Sequence, residues 1–213
     1  MKILLVSATA FETAPFLEGY GSAPNNPGID LKRVESGIGV LSSTYLILKA
    51  IQEFRPHFVI QAGIAGSFTE KYPPGSLVVA KQDILADLCV REPDGYRDMK
   101  QIGLESTGLL ENPLNPAKLP GLPFVNAVTV NEVSTSPDRI DWFRNRFGAE
   151  IESMEGAALH FVARKENIPF LQLRAVSNFV GERNKQNWKM KEAISILNEE
   201  LGRLVPKINE IWN

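Results

Sequence analysis

The sequence predicts an α/β fold, and three observations carry the expectation. Short runs such as Lys2–Ser7, His57–Ala62 and Phe170–Val176 are apolar without polar alternation, as in strands covered on both faces. Segments with helical spacing lie between them. Small-residue stretches follow several of the strands, where open α/β sheets place their ligands.

The first strand, Lys2–Ser7, is too short for a signal peptide or a membrane span, and the default location is the cytoplasm. It opens into Ala8–Ala14, where Glu12 stands among small and apolar neighbours. Either Glu12 is a charge in the first turn of a helix, or it is a functional carboxylate at a strand's carboxyl end. Asp30–Glu35 reads as a second strand, followed by Ser36-Gly-Ile-Gly39. From Val40 to Phe54, Leu41, Tyr45, Leu48 and Ile51 give a helix with a broad apolar face. The two glycines suit close backbone approach, but the third glycine of a dinucleotide fingerprint is missing.

His57–Ala62 is a buried strand that ends in the small-residue turn Gly63–Ser67. Tyr72-Pro-Pro-Gly75 is a turn, and Ser76–Leu88 reads as a strand pair or one long bent strand. The stretch 93–123 holds five prolines and little periodicity, an excursion that could form a lid or an interface. Phe124–Val130 is β-prone. Ser136 and Pro137 read as the N-cap and first residue of a helix that runs to Phe147 and stops at Gly148. A helix from Glu155 to Glu166, a strand Phe170–Val176 and a long amphipathic helix from Trp188 to Ile211, kinked at Pro206, complete the chain.

Bulk properties narrow the function. The 213 residues suffice for one sizeable domain, with 44% hydrophobic residues to fill a core. The 25 acidic residues against 23 basic ones leave no positive excess for nucleic acid or a membrane surface. The one cysteine, Cys89, cannot form an internal disulfide. With two histidines, His57 and His160, it makes no zinc cluster, so neither metal nor cofactor is expected.

The chemistry concentrates in Glu150-Ile-Glu-Ser-Met-Glu-Gly-Ala-Ala-Leu-His160, a carboxylate-bearing junction between strand and helix. A carboxylate only accepts hydrogen bonds and has two oxygens, so Glu155 suits the vicinal 2′ and 3′ hydroxyls of a ribose. Without a ligand, the same residue would stabilise a helix N-terminus by a few tenths to about 1 kcal/mol.

Glu12, Gly63-Ile-Ala-Gly66, Glu152-Ser-Met-Glu-Gly-Ala-Ala158 and Ser177-Asn178 occur in an order that resembles the nucleoside phosphorylase/nucleosidase family. Within it the chain is most similar to the futalosine hydrolase branch, chiefly through Ser177-Asn-Phe-Val-Gly-Glu-Arg-Asn184. The resemblance implies one domain over residues 1–213, a three-layer α/β/α fold around a mixed, partly closed sheet, and assembly as a homodimer or higher homo-oligomer. It implies cleavage of the N-glycosidic bond of a purine nucleoside. Carried over, Glu155 would hold the ribose hydroxyls, Met154 would pack on the sugar and Glu12 would act at the attacking water. Asn178, beside Ser177, would face the purine. Ile64 and Val133 complete the expected binding residues.

Phosphorylases of this family carry an arginine and a hydroxyl near the position of Gly63. Here Gln61-Ala-Gly-Ile64 has neither, which favours water over phosphate as the nucleophile unless Ser36, Ser67 or an arginine distant in sequence supplies a phosphate site. Adenine-cleaving relatives carry Asp where this chain has Asn178. An amide donates to O6 and accepts from N7–H, which favours a 6-oxopurine. The aromatic residue that stacks on the base in those relatives is absent from Asn131–Ser134, so either Phe179 or another aromatic supplies it or the pocket is built differently. Arg183 is the expected partner of a benzoate on the substrate, or else a solvated surface charge. Glu152 is read as a support of the junction rather than a substrate contact.

Overall fold

The structure is a computed structural model that describes residues 1–22 and 28–212. An eight-stranded mixed sheet lies at the centre. Its main strands are β1 (Lys2–Ser7), β2 (Asp30–Glu35), β3 (Phe58–Ser67), β4 (Leu77–Asp83), β8 (Phe124–Thr129), β9 (Ile151–Ser153) and β10 (Phe170–Phe179), with the short β7 (Leu110–Glu111) against β4. β10, β4, β8, β9 and β3 follow one another around a ring, which closes because β10 also pairs with β3. β1 and β2 extend the sheet in parallel from β3. The sheet is therefore mixed and partly closed, as the resemblance implies.

Period-two alternation divides the core into two layers. Ile3, Leu5, Phe58 and Ile60 face α1 (Ala10–Ser22) and α5 (Met190–Leu204). Leu4, Val6 and Val59 face α2 (Val40–Phe54) and α4 (Gly156–Lys165). Both strand faces are dry, which is why these runs show no polar alternation.

Several expectations need correction. Ala8–Ala14 is not an open loop, because α1 begins at Ala10 and places Glu12 in its first turn. Gly63–Ser67 is not a turn: it continues β3, held between β10 and β9. The apolar face read on α2 meets the core only at its C-terminal end, through Leu48 and Ile51. Leu41 and Tyr45 are exposed, while Ser43, Ile47, Ala50 and Ile51 are buried. Ser76–Leu88 holds the single strand β4, and the stretch 93–123 contributes β7 and one strand of a separate hairpin, β5 (Cys89–Glu92) with β6 (Gly95–Asp98). The final helix breaks at Pro206, where a 3-10 turn (Val205–Lys207) separates α5 from α6 (Ile208–Trp212). α3 (Pro137–Phe147) stops as expected at Gly148, whose φ of 60° is left-handed.

Candidate functional site

The carboxyl ends of β1, β3 and β10 converge with the β9–α4 junction on a cavity of about 250 Å³. Glu12, Ile64, Val133, Met154 and Glu155 line it, together with Ser177 and Asn178. Phe179 and Arg183 stand outside the lining. Phe179 is partly exposed at the end of β10, and the Arg183 guanidinium lies 5.9 Å from the Trp188 ring. Trp188 and Phe11, neither singled out by the sequence, are the aromatic residues that reach the cavity.

Glu12 is almost fully buried. Its Oε2 accepts from the Thr9 N–H at 2.9 Å and the Thr9 hydroxyl at 3.2 Å, and Oε1 accepts from the Ile64 N–H at 3.3 Å. The helix that carries it is spliced. The Asn198 amide of α5 accepts from Phe16 N–H at 2.8 Å and donates to the Glu12 carbonyl at 2.8 Å, taking up both ends of what would be an i→i+4 bond. Pro15 precedes the splice, and a proline ring inside a helix crowds the carbonyl four residues back.

Glu155 caps α4 and is also buried. Its Oε1 accepts from Gly39 N–H at 3.1 Å, and its Oε2 lies 3.7 Å from Arg174 Nη1. Gly39 can offer that N–H at the start of α2 because its φ of 88° suits glycine. Burial pushes the Glu155 carboxyl above the ordinary glutamate range, and the Arg174 charge opposes the rise. Arg174 is buried within β10 and donates to Gln61 Oε1 at 2.9 Å, while Gln61 Nε2 donates to the Glu155 carbonyl at 3.3 Å. A Cβ on Gly63 would stand 2.6 Å from Arg174 Nη1 and 2.9 Å from Glu12 Oε1. Only glycine there lets the cation and this carboxylate share the space.

Asn178 follows a bulge. Val176 pairs with Ala65 and Asn178 with Gly66, leaving Ser177 as the extra residue. Such a bulge re-aims the next side chain. Ser177 Oγ donates to Asn178 Oδ1 at 2.7 Å, and Asn178 Nδ2 donates to the Phe179 carbonyl at 2.8 Å. The Phe179 carbonyl, which only accepts, thus fixes which end of the amide carries the NH₂.

Behind α4 lies a dry polar layer. Asp83 accepts from Thr129 Oγ1 at 2.8 Å and from Gln172 Nε2 at 3.1 Å, and Thr129 Oγ1 accepts from Ala157 N–H at 2.8 Å. Burial raises the Asp83 carboxyl to about 6 and lowers the nearby His160 imidazole to about 4.

Chemically, the cavity is lined by three buried carboxylates, Glu12, Glu152 and Glu155, and by the Asn178 amide, with the buried Arg174 cation beside Glu155. That suits a neutral, hydroxyl-rich ligand whose reacting centre becomes positive. It suits an incoming phosphate poorly, since that anion would meet Glu12 and Glu155.

Residues 33–208 match the Phosphorylase superfamily. A futalosine hydrolase of Streptomyces coelicolor is 32% identical over 100% of this chain and 98% of its own length. A 5′-methylthioadenosine/S-adenosylhomocysteine nucleosidase of Geobacillus kaustophilus is 29% identical over 73% and 69%. Among solved structures, the nucleosidase of Colwellia psychrerythraea in complex with adenine superposes with a TM-score of 0.80 at 18% identity, covering 99% of this chain and 96% of that one. A futalosine hydrolase mutant of Helicobacter pylori gives 0.72 at 20%, covering 94% and 99%. With its mixed, partly closed sheet and a match over most of its length, the chain belongs to the Phosphorylase superfamily.

Proposed function

We propose that this protein hydrolyses the N-glycosidic bond of futalosine, releasing hypoxanthine and dehypoxanthine futalosine, a step of menaquinone biosynthesis. The observation that carries the reading is the meeting of Glu12, Glu155 and Asn178 at one cavity, in a chain similar over its whole length to a futalosine hydrolase. Cleavage of the bond builds oxocarbenium-like charge on the ribose and negative charge on the base. Glu155 holds the 2′ and 3′ hydroxyls, and Met154 packs on the sugar. Glu12 accepts a proton from the attacking water, while Asn178 stabilises the departing base at O6 and N7. Arg174 sits beside Glu155, whose charge it balances, and donates to Gln61.

Incubation with futalosine, with and without inorganic phosphate, tests this. Hypoxanthine and a free reducing sugar should form at equal rates in both. Ribose 1-phosphate chemistry that depends strictly on added phosphate would replace hydrolysis with phosphorolysis.

The protein acts as a homodimer in this reading. Phe11 and Ile38 at the cavity, with Leu41 and Tyr45 on α2, are large apolar residues left exposed, and Leu41 is 88% so. A second copy of the chain would cover this strip. Light scattering should give a dimer mass for the wild type and a monomer mass for the Leu41→Lys, Tyr45→Lys double variant. A wild-type monomer would remove the proposal.

A further inference from the structure

Glu155 occupies the N-cap position of α4, yet its side chain accepts no capping hydrogen bond from that helix. An N-cap side chain ordinarily turns back to accept from the N–H of the second or third helical residue. The positive helix end draws a carboxylate the same way. Glu155 instead accepts from the Gly39 N–H through Oε1, faces Arg174 with Oε2 and lines the cavity. That orientation requires other acceptors for the N–H groups it leaves.

The neighbouring strands supply them. Gly156 N–H, the first of the helix, donates to Ser153 Oγ of β9 at 3.3 Å. Ala157 N–H, the second, donates to Thr129 Oγ1 at 2.8 Å. Ala158 N–H, the third, donates to the Glu155 carbonyl at 3.1 Å. Thr129 is fully buried at the last position of β8.

Asp83 sets the direction of the Thr129 hydroxyl. A hydroxyl has one proton and two lone pairs. The proton goes to Asp83 Oδ1 at 2.8 Å, which leaves a lone pair for the Ala157 N–H. Asp83 Oδ2 is held in turn by Gln172 Nε2 at 3.1 Å. Gly156 lets the helix end come this close, because a Cβ there would overlap both Asp83 Oδ2 and Gln172 Nε2.

We propose that Thr129, oriented by Asp83, is a positioning residue that caps α4 in place of Glu155 and so leaves the Glu155 carboxylate to hold the ribose hydroxyls. Helix cap and sugar acceptor are two demands on one carboxylate, and the fold divides them between two side chains. This assignment rests on the nucleoside-hydrolase reading and accounts for the direction in which Glu155 points.

Thr129→Val tests it with almost no change of shape. The Ala157 N–H loses its acceptor, and Glu155, already at the cap position, turns back to it. Thr129→Ser keeps the hydroxyl and is the conservative control. Should the Val variant not fold, Thr129→Cys takes its place, because a thiol is a weak acceptor. The substrates are futalosine and its 2′-deoxy counterpart, compared by kcat/KM. Reading each variant against the wild type cancels the different intrinsic lability of the two sugars. In the Val variant the ribo-to-deoxy ratio should fall roughly 10- to 100-fold, the range of a lost charge-assisted hydrogen bond. It should fall in the same direction in the Cys variant and hold in the Ser variant. A helix that was merely loosened would slow both substrates alike and leave the ratio unmoved. That result, or a Ser variant that loses the ratio, overturns the assignment of Thr129 alone. A wild type that releases no hypoxanthine from futalosine overturns the hydrolase reading as well.

Discussion

Replacing Glu12 by Gln separates catalysis from architecture. In the wild type, three donors converge on the carboxylate: Thr9 N–H and hydroxyl on Oε2, and Ile64 N–H on Oε1. A Gln carbonyl turned to Thr9 keeps the two contacts there. Its NH₂ then faces the Ile64 N–H, donor against donor, at the longest of the three contacts. That leaves one buried N–H unsatisfied, a cost of about 1–3 kcal/mol, or about 2–4 °C of Tm per kcal/mol for a chain of this size. The catalytic loss is larger. Removing a general base lowers turnover about 10²–10⁴-fold, about 2.7–5.4 kcal/mol at 1.36 kcal/mol per decade. Ligand affinity should change little, because Glu155 and Asn178 remain. Single-turnover release of hypoxanthine, a thermal melt and titration calorimetry with the nucleoside resolve the three effects. A variant whose Tm falls while turnover stays within tenfold of wild type would reduce Glu12 to a clamp between Thr9 and β3.

Other perturbations give distinct signatures. Asn178→Asp should shift preference toward 6-amino nucleosides, read as the ratio of adenine to hypoxanthine released from matched substrates, because a protonated Asp can donate to N7 while its other oxygen accepts from the amino group. Gly156→Ala should destabilise the fold by about 2–4 kcal/mol in urea titrations, since its Cβ would overlap the Asp83 carboxylate and the Gln172 amide. The buried pair behind α4 predicts a pH effect of known sign. His160, lowered to about 4, loses stability as pH falls from 6.5 toward 4, because only the unfolded chain takes up the proton. Asp83, raised to about 6, gains stability as pH falls from about 6 toward 3.8, so the two nearly cancel. Asp83→Asn should unmask the histidine and make the urea midpoint drop steadily between pH 6.5 and 4, by about 3 kcal/mol in total; a flat profile would refute the linkage.

The strands were legible where burial is two-sided. Lys2–Ser7, buried on both faces, forms a strand with those bounds; Asp30–Glu35 does so as a half-exposed edge strand, and Val40–Phe54 forms the helix its spacing predicts. Apolar periodicity did not tell which face of α2 meets the core, because part of its apolar surface is left uncovered. β9 was read only as the strand side of the junction with α4, without bounds, because three residues carry no period. Glycines at 63 and 66 suggested a turn, yet they lie in a strand paired with β10, and at Gly66 also with β9, where their missing side chains make room for Arg174, Glu12 and Val180. Of the site, the residues with local motifs around them, Glu155 and Asn178, line the cavity with Glu12. Arg174 was hidden inside a run read as apolar core, and no local pattern ties it to Glu155, 19 positions away. Trp188 read as the start of an amphipathic helix; it lies just ahead of α5 instead.

The Asn198 splice has a temporal consequence for the cell. The amide that steadies the Glu12 backbone comes from 186 residues further along the chain. A ribosome adding about 5–20 residues per second needs on the order of ten seconds or more to span that gap. During that interval the first strand and its helix can form, but the Glu12 carbonyl and the Phe16 N–H lack the amide that bridges them. A nascent chain should therefore stay chemically silent until its last long helix emerges and docks.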